Sequence, residues 1–81
     1  MLVRVKLFGP EARLASCSQI ELELDARPTC KHVRQALGEH CPALGDALAH
    51  ARLAVNHDFA SDDRVIEAGD ELALIGLVSG G

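Results

Sequence analysis

Apolar and polar side chains alternate along two stretches in the first third of the chain. In residues 2–8 the apolar positions 3, 5 and 7 are separated by Arg4 and Lys6, and residues 19–25 repeat the alternation with acidic residues on the polar side. A period of two is typical of a strand with one face in a core and the other in water. Gly9-Pro10 interrupts the pattern, with at most one helical turn around residues 11–14. These features predict a β-hairpin with a long loop.

The period changes from two to about 3.6 after residues 27–28. Thr29 is a predicted N-cap, and the spacing of one helical face is shared by Cys30, Val33, Leu37 and Cys41. Pro42 cannot continue a helix, so it marks the predicted end of this main helix. For residues 43–50 the pattern is compatible with a second short helix or with an irregular crossing.

The rest of the chain is predicted to form extended segments separated by turns. They are residues 52–56, a return strand beginning at Phe59, a brief anchoring segment at residues 64–66 and a last strand at residues 71–77. The last strand carries apolar residues on both faces, which is typical of a strand with a neighbour on each side. It is therefore predicted to lie in the centre of the sheet.

The predicted order of elements is β, β, α, β, a short piece and β, which belongs to the α+β class. A hairpin, one main helix packed across its face and a central last strand parallel to the first describe a ubiquitin-like β-grasp with a mixed sheet. We therefore expect one domain over residues 1–81, with a flexible C-terminal tail at residues 77–81.

Composition and charge exclude several classes of function. The 81 residues carry a net charge of −4 and neither Trp nor Tyr, whereas nucleic-acid binding needs a basic surface and favours stacking aromatics. No apolar run is long enough for a membrane span, so we expect a cytoplasmic protein with no membrane or nucleic-acid partner. Seven of the twelve acidic residues fall in residues 41–81, where they predict either a solvated region or steering toward a basic partner.

The cysteines and histidines do not form a recognisable site in the sequence. The spacing of Cys17, Cys30 and Cys41 is not that of a secreted disulfide framework, and Cys30 is predicted to be a buried, reduced thiol. The four histidines show no ligand spacing, so no metal site is expected. A β-grasp iron–sulfur protein would need four thiolates, and the sequence holds three cysteines.

The C-terminus carries the functional prediction. Residues 72–81 contain no charged side chain, and the chain ends at Val78, Ser79, Gly80 and Gly81. Two glycines remove every Cβ near the α-carboxylate, so the end can thread into a narrow pocket. A carboxylate is a poor electrophile and needs activation, most simply as an adenylate made from ATP. A sulfur nucleophile then gives a thiocarboxylate, and an amine gives an amide.

These features resemble the small, sulfur-carrier subunit of molybdopterin synthase. The resemblance rests on residues 5–8 with 12–13, 28–37, 54–56, 68–72 and 78–81. It implies that Gly81 is adenylated by a ubiquitin-activating-type enzyme and receives sulfur from a donor protein as a thiocarboxylate. It further implies delivery of that sulfur to a cyclic pyranopterin precursor in a large catalytic subunit, where the dithiolene of molybdopterin forms. The chain itself would be a non-catalytic sulfur-donor subunit that holds no bound cofactor.

The resemblance also implies partner contacts and leaves alternatives. Positions that match contact residues of the family are Arg13, Phe59 and Ile75, and Leu77 joins the last two in a predicted apolar patch. The family commonly has a proline pair where this chain has Gly76-Leu77, which predicts a looser approach to the end. The alternatives are a ubiquitin-like protein modifier and a sulfur carrier for thiazole synthesis, which is typically shorter.

Overall fold

The computed structural model describes residues 1–76, and five strands in that range form one mixed sheet. The strands are β1 (Leu2–Leu7), β2 (Gln19–Glu23), β3 (Ala51–Val55), β4 (Asp58–Phe59) and β5 (Leu72–Gly76). They lie in the order β2-β1-β5-β3-β4. Strand β5 runs parallel to β1 and antiparallel to β3, so its predicted central position is confirmed.

The predicted hairpin is formed by β1 and β2. Val3 lies opposite Leu22 and Val5 opposite Ile20, and these four side chains are buried. The strands end earlier than the alternation predicts, at Leu7 and at Glu23, although backbone hydrogen bonds between Met1 and Leu24 continue the contact by one residue.

The loop between β1 and β2 contains a helix, α1 (Gly9–Ala15), that is longer than the single turn the sequence indicates. Pro10 lies in its first turn, where the missing N–H has no partner to lose. Ser16 ends α1 in the left-handed conformation, at φ 58°. Gly9-Pro10 therefore ends a strand and begins a helix at the same place.

The main helix, α2 (Cys30–His40), begins where the sequence predicts. The Thr29 hydroxyl accepts the N–H of His32, and the Thr29 N–H donates to Nδ1 of His32 at 3.0 Å, so both residues cap the helix. Cys30, Val33 and Leu37 are fully buried against the sheet. His32 therefore has a structural role.

The chain returns from α2 to the sheet through a 3₁₀ turn (Pro42–Leu44) and a short helix, α3 (Gly45–Ala49). The helical alternative for residues 43–50 is thereby confirmed. Arg34 of α2 stabilises this connection, since its guanidinium donates to the carbonyls of Leu48 at 2.6 Å and Ala51 at 2.8 Å. The anchoring segment at residues 64–66 is also confirmed, because Val65 bridges to Thr29 and Ile66 is buried.

The core lies between α2 and one face of the sheet, and the opposite face of the sheet is open. The core is built from aliphatic side chains and Cys30, among them Val5, Val33, Leu37, Leu44, Leu53, Ile66, Leu72 and Leu74. Among the helices of residues 1–76, none has the length and apolarity needed to cross a membrane. The open face is where the exposed residues of β1, β3, β4 and β5 come together.

Candidate functional site

A hollow of about 400 Å³ lies on the open face, beside the last residues of β1 and along β5, from Glu71 directly before the strand to Ile75. Alternation along the strands places residue 73 of β5 and residue 54 of β3 on this face, and the two are cross-strand partners. Because both residues are alanine, the sheet surface is low between them. Phe8 and Phe59 stand at its borders, each about half exposed. The hollow is therefore an apolar depression between two aromatic rings.

Phe59 is held in place by a cation. The guanidinium carbon of Arg52 lies 4.6 Å from the centroid of the Phe59 ring, which is the geometry of a cation–π contact. Arg52 is the cross-strand partner of Ile75, which also lines the hollow. Arg52 therefore connects the Phe59 ring with Ile75 near the end of β5.

The rim of the hollow carries charges of both signs. Lys6 and Glu71 line it, and Oε2 of Glu71 lies 3.3 Å from Nε2 of His57. Of the seven acidic residues in the second half of the chain, Glu71 is the one that lines the hollow within residues 1–76. The acidic residues of the second half of the chain therefore contribute only Glu71 to the lining within residues 1–76, and Lys6 adds a basic group to it.

The start of β5 is fixed by a side-chain clamp between two turns. Asn56 donates from Nδ2 to Oδ1 of Asp70 at 3.0 Å and accepts the N–H of Glu71 at its Oδ1 at 2.9 Å. The second oxygen of Asp70 accepts the N–H of Glu67 at 2.8 Å. These contacts join the segments at residues 54–56 and 68–72. They set the position of Glu71 and of the strand that follows.

The clamp predicts a dependence of stability on pH. Hydrogen bonds from the Glu67 N–H and the Asn56 amide hold the pKa of Asp70 below its ordinary value of 3.8. A carboxyl whose pKa is lowered by folding stabilises the protein above its ordinary pKa and loses that contribution as the pH falls through the folded value. We expect Asp70→Ala to cost about 1 kcal/mol in the free energy of unfolding at pH 7 and to flatten the loss of stability below pH 4.

Urea unfolding measured from pH 7 to pH 2 checks this expectation. Asp25→Ala is a matched control, because Asp25 is exposed and accepts no hydrogen bond from another side chain within the described part of the chain. Equal pH profiles for the wild type and Asp70→Ala would contradict the role of the clamp.

The structure brings together two of the predicted contact residues and separates a third. Phe59 and Ile75 line the same hollow. Arg13 is exposed on α1 and is not among the residues that line it. Leu77, Val78, Ser79, Gly80 and Gly81 lie outside the described residues. The predicted site is therefore described as far as the end of β5.

Sequence reasoning missed several residues of the hollow. The alternation indicates only a solvent-facing position for Lys6 and a strand end for Phe8, yet both residues line the hollow. The available signal was Phe8 itself, an aromatic residue directly after an alternating strand. Ala73 had no signal of its own, since its importance comes from being small beside another alanine.

Residues 1–76 contain no group of three or more His, Cys, Asp or Glu side chains that could hold a metal ion. Cys30 is fully buried as predicted, and burial raises the pKa of its thiol. Cys41 is half-buried and Cys17 is exposed, and all three cysteines are free thiols.

A mixed sheet in this order, with one helix across it and an open opposite face, defines a ubiquitin-like β-grasp protein. The chain belongs to the ThiS family, whose model matches residues 5–81. It is 27% identical over 79 residues to the molybdopterin synthase sulfur carrier subunit of Arabidopsis thaliana, an alignment that covers 98% of this chain and 82% of that protein. The resemblance found in the sequence is confirmed at the level of the family.

The solved structures of similar fold carry names that refer to more than one function. SAMP1 from Haloferax volcanii superposes with a TM-score of 0.87 at 29% identity and covers all of both chains. A putative molybdopterin converting factor subunit 1 from Pyrococcus furiosus gives 0.84 at 22% identity, over 96% of this chain and 99% of that one. A complex of subunits 1 and 2 of molybdopterin-converting factor from Helicobacter pylori gives 0.72 at 23% identity and covers all of both chains. The last two likenesses establish the fold alone.

Proposed function

We propose that this chain is the sulfur carrier of a molybdopterin synthase and that Gly81 is its reacting residue. The observation that carries the proposal is the position of the hollow along β5, which it follows as far as Ile75, next to the last residue of the strand. A partner that binds the hollow is thereby placed next to the strand that leads to residues 77–81. The homology to a molybdopterin synthase sulfur carrier subunit supports this choice of pathway.

The proposed chemistry uses the terminal carboxylate and no side chain of the carrier. One carboxylate oxygen of Gly81 attacks the α-phosphorus of ATP, and pyrophosphate leaves. A sulfur nucleophile then adds to the activated carbonyl carbon, and AMP leaves with the electron pair of the broken bond. The resulting thiocarboxylate carries sulfur to the cyclic pyranopterin precursor. Two such deliveries build the dithiolene.

The hollow is the proposed docking surface for the large catalytic subunit. Aromatic side chains at the centre of an interface commonly supply most of its binding energy, and here Phe8 and Phe59 border an apolar depression. Five extended residues beyond Gly76 reach at most about 17 Å. The sulfur acceptor in the partner must therefore lie within that distance of the end of β5.

A protein modifier is the second candidate. The observation that favours it is the similarity to SAMP1, a protein also named small archaeal modifier protein 1. Activation by ATP is common to both functions, and they differ in what attacks the adenylate. Sulfur gives a carrier, whereas the amine of a lysine gives an isopeptide. A carrier for thiazole synthesis shares the thiocarboxylate and differs in its partner.

The test combines mass spectrometry with co-purification. The chain is incubated with ATP, an adenylating enzyme and a sulfur source, and then digested with trypsin. The peptide after Arg64 spans residues 65–81 and contains no internal Lys or Arg, so it reports the terminus directly. We expect one oxygen of this peptide to be replaced by sulfur, and the carrier to co-purify with a pterin-binding large subunit. Lysine adducts on other proteins without a thiocarboxylate would contradict the carrier function.

A further inference from the structure

Glu11 is the buried charged residue of the described chain, at 8% exposure. It lies on α1, a helix that packs against β5. Burying a carboxylate is costly compared with burying an apolar side chain of similar size. Its neighbours Ala12 and Ala15 pack against the core from the same helix. Packing alone would therefore favour an apolar residue at position 11.

The carboxylate of Glu11 occupies the space beside Gly76. A Cβ added to Gly76 would lie 2.6 Å from Oε2, 2.8 Å from Oε1 and 2.9 Å from Cδ of Glu11. Within residues 1–76 the glycines with positive φ are Gly9 and Gly69, so the backbone conformation at position 76 does not require a glycine. Position 76 requires a glycine because the Glu11 carboxylate occupies the space that a Cβ would need.

This contact lies at a residue of β5 that is paired with one neighbouring strand and not with the other. Within residues 1–76, pairing of β5 with β1 ends at Leu74 opposite Leu7, and pairing with β3 ends at Gly76 opposite Ala51. A carboxylate is an acceptor without donors, suited to backbone N–H groups. Glu11 therefore places an acceptor beside Gly76, where β5 is no longer paired with β1 and is still paired with β3.

We propose that Glu11 is a positioning residue that holds the root of the C-terminal segment at Gly76. By this contact Glu11 sets the position, relative to the hollow, at which residues 77–81 leave the sheet. Glu11 is carried by α1, a helix that begins directly after Phe8 of the hollow and ends at Ser16 in the left-handed conformation. This inference rests on the proposed function, because it assigns to Glu11 the placement of the group that reacts.

The experiment is single-turnover transfer of sulfur from thiocarboxylated carrier to the pterin precursor on the large subunit. We expect Glu11→Ala to lower the rate at saturating large subunit by about 10- to 100-fold, since misplacement by about 1 Å costs that much. The concentration of half-saturation should stay unchanged, because the hollow is intact. Glu11→Gln, which keeps the shape and one acceptor oxygen, should retain more of the rate.

Gly76→Ala provides an independent test of the same contact. Its Cβ displaces the carboxylate, so we expect a loss of rate like that of Glu11→Ala. In the double variant the Cβ fills the vacated space, so the losses should not multiply. Glu23→Ala on β2 is the control, because Glu23 is exposed and lies at the far end of the sheet face.

The outcomes separate this inference from the proposed function. Wild-type protein that accepts no thiocarboxylate overturns the proposed function. Wild-type protein that transfers sulfur, with Glu11→Ala and Gly76→Ala transferring at the same rate, overturns the role of Glu11. A loss seen only in melting temperature or in half-saturation also overturns it, since that is the result of a purely structural contact. If Glu11→Ala does not fold, Glu11→Gln and Gly76→Ala decide the question.

Discussion

A chain from which Gly81 has been deleted is expected to keep its fold and to lose sulfur transfer. The described strands and core end at Gly76, so the deletion removes no core residue. It moves the terminal carboxylate back by one residue, which is about 3.5 Å of extended chain. Since a misplacement of 1 Å already costs about 100-fold in rate, we expect transfer to fall by at least that factor. One residue added after Gly81 should have the same effect.

Two measurements check this expectation. Thermal unfolding should give the same midpoint for the wild type and the deleted chain, and mass spectrometry of the peptide that begins at residue 65 should show no thiocarboxylate on the deleted chain. Ser79→Ala is the control, because it changes the same segment without changing its length. Normal sulfuration of the pterin by the deleted chain would refute Gly81 as the reacting residue.

Replacing Phe59 by serine is expected to weaken binding of the large subunit strongly. Phe59 borders the hollow, and stacking with Arg52 orders its ring before binding. An ordered aromatic residue that becomes buried in an interface is worth about 2 kcal/mol. We therefore expect the Kd to rise about 30-fold. The stability of the isolated chain should change little, because about half of the Phe59 side chain is exposed before binding.

Isothermal titration calorimetry with the purified large subunit measures this effect. Leu2→Ser is a matched control, since Leu2 is 55% exposed, compared with 52% for Phe59, and lies at the opposite end of β1 from the hollow. Equal Kd values for the wild type and Phe59→Ser would place the docking surface elsewhere. An equal loss in Leu2→Ser would show that the whole open face, rather than the hollow, binds the partner.

Much of the fold follows from local patterns. The alternation before Phe8 and after Gln19 predicts the hairpin, and Thr29 with the spacing of Val33 and Leu37 predicts α2. The apolar residues on both faces of residues 71–77 predict the central strand. Each of these signals lies within one segment, and the structure confirms all three within a few residues.

The candidate site depends on contacts between distant segments. Phe8, Ala54 and Ala73 meet only because β5 pairs with β1 on one side and with β3 on the other. Ala54 and Ala73 are 19 positions apart and Phe8 precedes Ala54 by 46, so no local sequence pattern relates them. Phe59 and Ile75 were found from the resemblance to the family, whereas Phe8 and Lys6 were not found at all. A hollow is a property of the register between strands, which packing of the whole core decides.

Glu11 shows the same limit from the opposite direction. A glutamate that follows Gly9-Pro10 is expected from its local sequence to be exposed to solvent. In the structure it is buried beside Gly76. The sequence in turn predicts only that Gly76 makes the approach to the C-terminus looser. The pair becomes meaningful when α1 is packed against β5, because each residue explains the other.

The sequence alone established the kinds of elements, their order and the uncharged Gly-Gly end, since these depend on neighbours along the chain. The packed structure was needed for the hollow, the clamp at Asp70 and the contact between Glu11 and Gly76. Asn56 and Asp70 are 14 positions apart, Glu11 and Gly76 are 65 apart, and Phe8 and Ile75 of the hollow are 67 apart. Strand register and helix placement are set by many weak contacts between distant segments. The preferences of neighbouring residues along the chain do not determine them.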